Sequence, residues 1–146
     1  MRRWRLMAVA VCVWLGLAAC ELDASSNGEL DGYWHLEQID TLATGGTNDL
    51  SGELLFWAVQ GKILTLSNQK IGYIPVVMRF NRNGDRLVLS DPQLYDRDKG
   101  NQPLTAADML KVYGIHELTM DWKVEQLTGS TMILSSNLVK IRLKKF

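Results

Sequence analysis

The chain has 146 residues, and its 16 Lys and Arg residues are matched by 16 Asp and Glu residues, so no surplus of positive charge indicates nucleic-acid binding. Both cysteines, Cys12 and Cys20, lie within the first 20 residues. The rest of the chain therefore has no thiol for a disulfide, a thiolate metal site or a cysteine nucleophile.

The first 20 residues have the three parts of a bacterial lipoprotein signal. Arginines at positions 2, 3 and 5 precede an apolar run over 6–17, and the run closes on Leu17-Ala18-Ala19-Cys20. A run of about a dozen apolar residues is too short for a transmembrane helix, which needs about 20. We therefore predict a signal peptide over 1–19 that is cleaved before Cys20, whose thiol then carries the acyl chains.

Cleavage changes the charge and the compartment of the mature protein. Removal of three arginines leaves 13 basic against 16 acidic residues, a formal net charge of −3 over 127 residues. Residues 20–30 are small and polar, which predicts a lipidated flexible tether. Multiple acylation holds a protein on a membrane, because each buried methylene contributes about 0.8 kcal/mol. Glu21, rather than an aspartate after the cysteine, favours the outer membrane over the inner membrane of the cell envelope.

From residue 31 to residue 146 the apolar residues recur with a period of two, which predicts a single domain of β-strands. Strands are expected at about 33–39, 53–59, 62–68, 74–80, 86–89, 118–125, 131–136 and 139–144. Alternation predicts the side chains that face the interior, which are Trp34, Leu36, Leu64, Leu66, Ile74, Val76, Met78, Phe80, Leu87, Leu89, Met120, Trp122, Val124, Val139, Ile141 and Leu143.

Two strands carry special features. Residues 54–59 are apolar at every position, so alternation does not define their inward face, and either Phe56 or Trp57 points away from the interior. Pro75 has no backbone N–H, which predicts that its strand is bulged or unpaired at that point.

One short helix is expected in the long connection over 91–117. Thr105 is a suitable N-cap with Asp108 three residues later, and Gly114 is a suitable left-handed terminator. This segment partly fills an otherwise polar loop.

Eight short strands joined largely by tight turns predict an all-β protein. The expected fold is an eight-stranded antiparallel up-and-down barrel with one short helix in a long loop. A β-sandwich is the alternative.

The sequence Asp31-Gly32-Tyr33-Trp34 resembles the Gly-x-Trp signature that opens the lipocalin barrel. Together with Tyr113-Gly114-Ile115 and the closing segment 138–146, it is similar to the small lipocalin-like domain lipoproteins of Bacteroides and relatives. The resemblance implies a structural signature of Gly32, Trp34 and a basic residue from a late strand. Arg142 is our candidate for that residue, because a guanidinium plane can stack on an indole.

The residues of the mature chain form no catalytic or metal-binding motif. His35 and His116 are the only histidines, with no His-Glu-x-x-His pattern. The acidic loop at 96–101 departs from a calcium loop, and Ala107 occupies the position that would need a glutamate. No serine lies in a Gly-x-Ser-x-Gly context. We therefore predict no catalytic residue, no metal, no cofactor and no enzymatic activity.

Two functions remain open. The leading prediction is a lipid-anchored lipocalin-like envelope protein that binds a small apolar or amphipathic ligand. The alternative is a barrel with a filled core that acts as an accessory or interaction module for another envelope protein. An enclosed apolar cavity of about 300 Å³ or more would favour the first. A packed interior with Phe56 or Trp57 exposed would favour the second.

Overall fold

The structure is a computed structural model that describes residues 26–146. The predicted signal peptide, Cys20 and the first part of the tether lie outside these residues. The described chain forms ten strands and two short 3-10 helices. The strands are β1 (Gly32–Thr41), β2 (Gly46–Asp49), β3 (Leu55–Gln60), β4 (Ile63–Asn68), β5 (Val76–Asn83), β6 (Arg86–Leu94), β7 (Gln102–Pro103), β8 (Met120–Leu127), β9 (Thr131–Ser135) and β10 (Val139–Lys145).

Eight of the strands close into an antiparallel barrel, as the alternation predicts. Their order around the barrel is β1, β3, β4, β5, β6, β8, β9 and β10, so each strand pairs with the next along the chain. The barrel closes where β10 pairs back with β1, from Thr41 opposite Val139 to Trp34 opposite Lys145. Closure leaves no open edge on these strands, which distinguishes the fold from a sandwich.

The predicted strands are the eight strands of the barrel, and the two that were not predicted are short and exposed. Every residue of β2 is exposed, and β2 pairs with the last residues of β1, beyond those that pair with β3. The two residues of β7 pair with the end of β6. Neither has the apolar alternation that identifies a strand in sequence.

The predicted helix is a 3-10 helix over Asp108–Tyr113. It ends at Gly114 in the left-handed conformation, as predicted, with φ of 84°. The expected N-cap at Thr105 is wrong, since the helix begins after Ala107 without a side-chain cap. A 3-10 helix has three residues per turn, which places Leu110 and Tyr113 on one face, and both are buried.

The antiparallel order gives the barrel two distinct ends. At the closed end, β1 begins and the short turns at 61–62, 84–85 and 128–130 join successive strands. At the mouth lie the segments 42–54, 69–75, 95–119 and 136–138.

The other 3-10 helix, Gly28–Leu30, precedes β1 at the closed end, and Leu30 is buried. The folded domain therefore begins inside the segment predicted as tether. This otherwise polar segment contains one leucine, Leu30, that packs in the core.

The predicted interior residues lie in one buried cluster, with Phe80 and Val124 partly buried against it. Ile74 is the exception, because its side chain is 51 % exposed. It precedes Pro75, and β5 begins only at Val76, so the alternation of that strand does not extend to Ile74. In β1, a bulge between Leu36 and Gln38 makes Ile39 the next inward residue.

The structure also defines the inward face of β3. Trp57 is fully buried in the core cluster, whereas Phe56 points outward. The Phe56 ring stacks on Tyr33 with centroids 4.6 Å apart and is further covered by His35 and Phe146. The outward face of this strand is thus covered by the chain itself.

Candidate functional site at the barrel mouth

Trp34 lies at the closed end of the barrel, and the basic residue that packs on its ring is Lys145. The Trp34 indole N–H donates to the Leu30 carbonyl at 2.9 Å. The Lys145 Nζ atom lies 4.7 Å from the centroid of the ring and donates to the Glu29 carbonyl. Gly32, with φ of 135°, lies beneath the Lys145 chain, and a Cβ there would lie 3.1 Å from Lys145 Cε.

The assignment of Arg142 to this role is wrong. Val139, Ile141 and Leu143 face inward, so the next residue in the same phase at the closed end is Lys145. Arg142 has the opposite phase, is exposed and pairs with Gln38 further along β1.

The barrel interior is bridged by two indole rings. Trp57 on β3 and Trp122 on β8 come from strands on opposite sides of the eight-stranded barrel, and their centroids are 6.1 Å apart in an edge-to-face arrangement. Both side chains are fully buried. Their Nε1 atoms have no hydrogen-bond partner among residues 26–146. The lumen is therefore filled at this level by side chains.

At the mouth, the second 3-10 helix plugs the barrel. Leu110, Tyr113 and Ile115 are buried in the core cluster. The helix lies close to the wall, since a Cβ on Gly114 would lie 2.9 Å from Ile141 Cγ2. Burial raises the pKa of Tyr113 to about 12, and the neighbouring Tyr73 phenol adds to this effect.

A groove of about 230 Å³ opens beside the plug, between segment 69–75 and the helix. Its walls are largely apolar, and the only charged side chain that lines it belongs to Asp108, whose pKa is lowered by a hydrogen bond from Lys111. The residues that line the groove are Tyr73, Ile74, Val76, Asp108, Met109, Val112 and Tyr113.

Exposed apolar side chains concentrate around this groove. Of the eleven large hydrophobic side chains that are exposed among residues 26–146, nine lie at the mouth and two at the closed end. Five of the nine come from segment 69–75 and the plug helix. We call these five the mouth rim: Ile71, Tyr73, Ile74, Met109 and Val112.

His35 and Asp96, two of the residues considered for chemistry, make contacts that stabilise the fold. His35 contacts the Glu37 carboxylate and the Glu53 carbonyl, at 2.9 and 2.6 Å. Asp96 accepts hydrogen bonds from the backbone N–H groups of Asp98 and Lys99, which fixes the turn. In the described part of the chain, no three His, Cys, Asp or Glu side chains are grouped to hold a metal. None of its helices has the length and apolar character needed to cross a bilayer.

A family model for the lipocalin-like domain matches residues 15–146, almost the whole chain. The chain belongs to this lipocalin-like family. A lipocalin-like protein from Bacteroides uniformis has a similar structure, with a TM-score of 0.63 and 20 % identity over 82 % of this chain and all of that one. An uncharacterised protein from Bacteroides eggerthii is similar with a TM-score of 0.57 and 16 % identity, over 80 % of this chain and 98 % of that one.

No curated protein matches the chain. At these identities the two structures support the fold alone. The lipocalin-like family typically comprises binding proteins rather than enzymes.

Sequence reasoning missed Lys145 and most of the mouth rim. The rim lies outside the barrel strands, where alternation gives no information. One signal was present, because Ile71, Tyr73 and Ile74 surround Gly72 in a loop whose only charged residue is Lys70. An apolar loop of this kind is expected to be buried or to bind something.

Proposed function

We propose that this lipocalin-like protein is anchored to a membrane of the cell envelope through acylated Cys20 and binds a small amphipathic molecule at its mouth. The observation that carries the proposal is the mouth rim, four of whose five residues line an apolar groove at one end of the barrel. Exposed apolar surface of this kind is costly unless a ligand or partner covers it.

The groove sets the chemistry of the ligand. Ile74, Met109 and Val112 offer an apolar bed, and the thioether of Met109 adapts to irregular shapes. Asp108 at the groove and Lys111 beside it provide a charged margin for a polar group. A volume of about 230 Å³ is below the size of about 300 Å³ at which an enclosed cavity would favour a ligand inside the barrel. The proposed ligand therefore binds in the open groove at the mouth, and we expect a short acyl chain or one ring system.

Native mass spectrometry of the acylated protein, extracted in detergent from its own cell envelope, tests the proposal. We expect a bound small molecule that extraction identifies and that raises the melting temperature of the stripped protein. Val112→Asp should abolish this rise. Ile63→Asp is the matched control, since Ile63 lies at the closed end and its exposure of 49 % is similar to the 42 % of Val112. Empty protein whose melting temperature no envelope extract raises would reject ligand binding.

The anchor has its own test. Cys20→Ala should leave the precursor uncleaved by the lipoprotein signal peptidase and without acyl chains. Mass spectrometry of the N-terminal peptide measures both. Equal acylation and cleavage of the wild-type protein and the variant would reject lipidation at Cys20.

A second function is favoured by the packed interior. The contact between Trp57 and Trp122 fills the lumen, so the barrel also fits a module whose mouth rim docks on another envelope protein. In that case Val112→Asp would weaken a protein complex, and small-molecule extracts would leave the melting temperature unchanged. The two functions use the same rim and differ in what covers it.

A further inference from the structure

The chain outside the structure joins the barrel at the closed end. The Asn27 side chain donates to the Gly61 carbonyl at 2.7 Å, in the turn between β3 and β4. The mouth rim lies at the other end of the barrel. The N-terminal attachment and the proposed ligand site are therefore separated by the full height of the barrel.

The length of the tether limits how the barrel can sit on a membrane. From Cys20 to Asn27 there are seven residue steps, which span about 25 Å at full extension. A ten-residue strand such as β1 is about 33 Å long. With the usual tilt of barrel strands, the barrel is about 25 Å high. The mouth could face the anchoring bilayer only if the tether ran fully extended along the wall.

The closed end carries an apolar surface beside the attachment point. Among residues 26–146, Ile63 and Phe146 are the two exposed large hydrophobic side chains that do not lie at the mouth, with exposures of 49 % and 87 %. Phe146 packs edge-on against Tyr33 at 6.3 Å. A shallow cleft of about 340 Å³ runs beside Tyr33 and Ala58. We call Tyr33, Ala58, Ile63 and Phe146 the anchor face.

The charges around the anchor face fit phospholipid headgroups. Lys62 precedes Ile63, and Lys144 lies two residues before Phe146, and both side chains are exposed. Among residues 26–146, the segments at this end carry two exposed acidic side chains, Glu29 and Asp85. Aromatic rings with flanking lysines are typical of protein surfaces that rest at the membrane interface. Tethering makes even a weak contact effective, because it holds the face at a local concentration in the millimolar range.

We infer that the anchor face rests on the phospholipid surface that holds the acyl chains, so that the mouth points away from the anchoring membrane. This inference rests on the lipid anchor of the proposed function. It assigns the mouth rim to molecules that arrive from the aqueous compartment rather than from the supporting bilayer.

Site-directed fluorescence on the acylated protein tests the orientation. The mature chain has Cys20 as its single cysteine, and acylation blocks it, so an introduced thiol is labelled alone. Ile63→Cys reports on the anchor face, and Ile71→Cys reports on the mouth, where Ile71 is fully exposed. Each variant is labelled with a polarity-sensitive dye and reconstituted in vesicles of phosphatidylethanolamine and phosphatidylglycerol that contain spin-labelled lipid.

We expect the label at position 63 to shift to the blue and to be quenched several-fold more than the label at position 71. The double variant Lys62→Glu, Lys144→Glu should reduce that quenching without preventing flotation of the protein with the vesicles. Equal quenching at both positions, or stronger quenching at position 71, would overturn the orientation while leaving the anchor intact. Failure of the acylated protein to float would reject the anchor, and the inference would fall with it.

Discussion

The Lys145 ammonium lies over the Trp34 ring at the closed end of the barrel, where β10 pairs back with β1. Replacement of Lys145 by Met keeps the aliphatic chain over the indole but removes the charge and the hydrogen bond to the Glu29 carbonyl. A cation over an aromatic ring contributes about 0.5 to 2 kcal/mol. We expect Lys145→Met to lower the free energy of unfolding by about 1 to 2 kcal/mol in urea titrations.

Arg142→Met is the matched control for this prediction. Arg142 is exposed on the same strand and has no such ring beneath it in the described structure. Its replacement should change stability by no more than about 0.5 kcal/mol. A larger loss of stability for Arg142→Met than for Lys145→Met would assign the signature role to Arg142.

Of the three buried tryptophans among residues 26–146, Trp34 should respond differently from the other two to loss of the indole N–H. Trp34 donates a hydrogen bond at 2.9 Å to Leu30, whereas the N–H of Trp122 has no partner among the described residues. Replacement by Phe removes volume in both cases, but only Trp34→Phe also breaks a hydrogen bond and leaves a carbonyl without its donor. We therefore expect Trp34→Phe to cost about 1 kcal/mol more than Trp122→Phe.

Urea denaturation of both variants measures this difference. A larger loss for Trp122→Phe would mean that its indole N–H has a partner in solution, such as an ordered water or a ligand. Trp57→Phe serves as a second comparison, because Trp57 has the same burial and the same unbonded Nε1 atom.

Gly114 combines a left-handed backbone with close contact to the barrel wall. Its φ is 84°, and an added Cβ would lie 2.9 Å from Ile141 Cγ2 and 3.5 Å from Ile39 Cδ1. Gly61 has a φ of 61°, but a Cβ there would meet nothing within 4 Å. Gly61→Ala should therefore cost about 1 to 2 kcal/mol for backbone strain. Gly114→Ala should cost about 1 to 3 kcal/mol more, because the plug must shift.

Thermal unfolding of the two alanine variants compares these costs. The Gly114 variant should also expose more of the plug, which limited proteolysis within 95–119 would detect. Equal stabilities of the two variants would show that the plug moves away from the wall at no cost.

The fold could be predicted from the sequence because alternate residues of each barrel strand are buried. Trp34, Leu66 and Trp122 face inward where the alternation places them, and all are fully buried. The bulge in β1 was not accessible, since the inward phase changes between Leu36 and Ile39 without a glycine or proline to mark it. The covering of Phe56 by Tyr33 and Phe146 required the register of three strands, which one sequence does not contain.

The candidate site was harder to predict from the sequence, because its residues do not follow the strand period. The groove joins Tyr73 from one loop to Val112 from another, 39 positions later in the chain. No local period connects these segments. The inward phase of Lys145 could have been read by extending the alternation of β10 by one step beyond Leu143. A charged residue at an inward position was a sign of a specific partner.

Burial of Tyr113 makes the stability of the plug depend on alkaline pH. Its pKa is raised to about 12 in the folded protein, whereas an unperturbed tyrosine titrates near 10. Between these values the unfolded chain releases the phenolic proton and the folded chain keeps it. The free energy of unfolding should therefore be unaffected below about pH 10 and fall as the pH rises from about 10 to about 12.

The free energy of unfolding of the Tyr113→Phe variant should fall less steeply over this range, since the phenylalanine has no proton to lose. Tyr95→Phe is the control, because Tyr95 is exposed at the same end of the barrel. Denaturation midpoints at several pH values from about 9 to about 12 measure the slopes. Both variants lose one tyrosine and keep every other ionisable side chain, so the difference between the slopes isolates Tyr113. Identical slopes for the Tyr113 and Tyr95 variants would mean that the phenol of Tyr113 is solvated and that the plug is not closed over it.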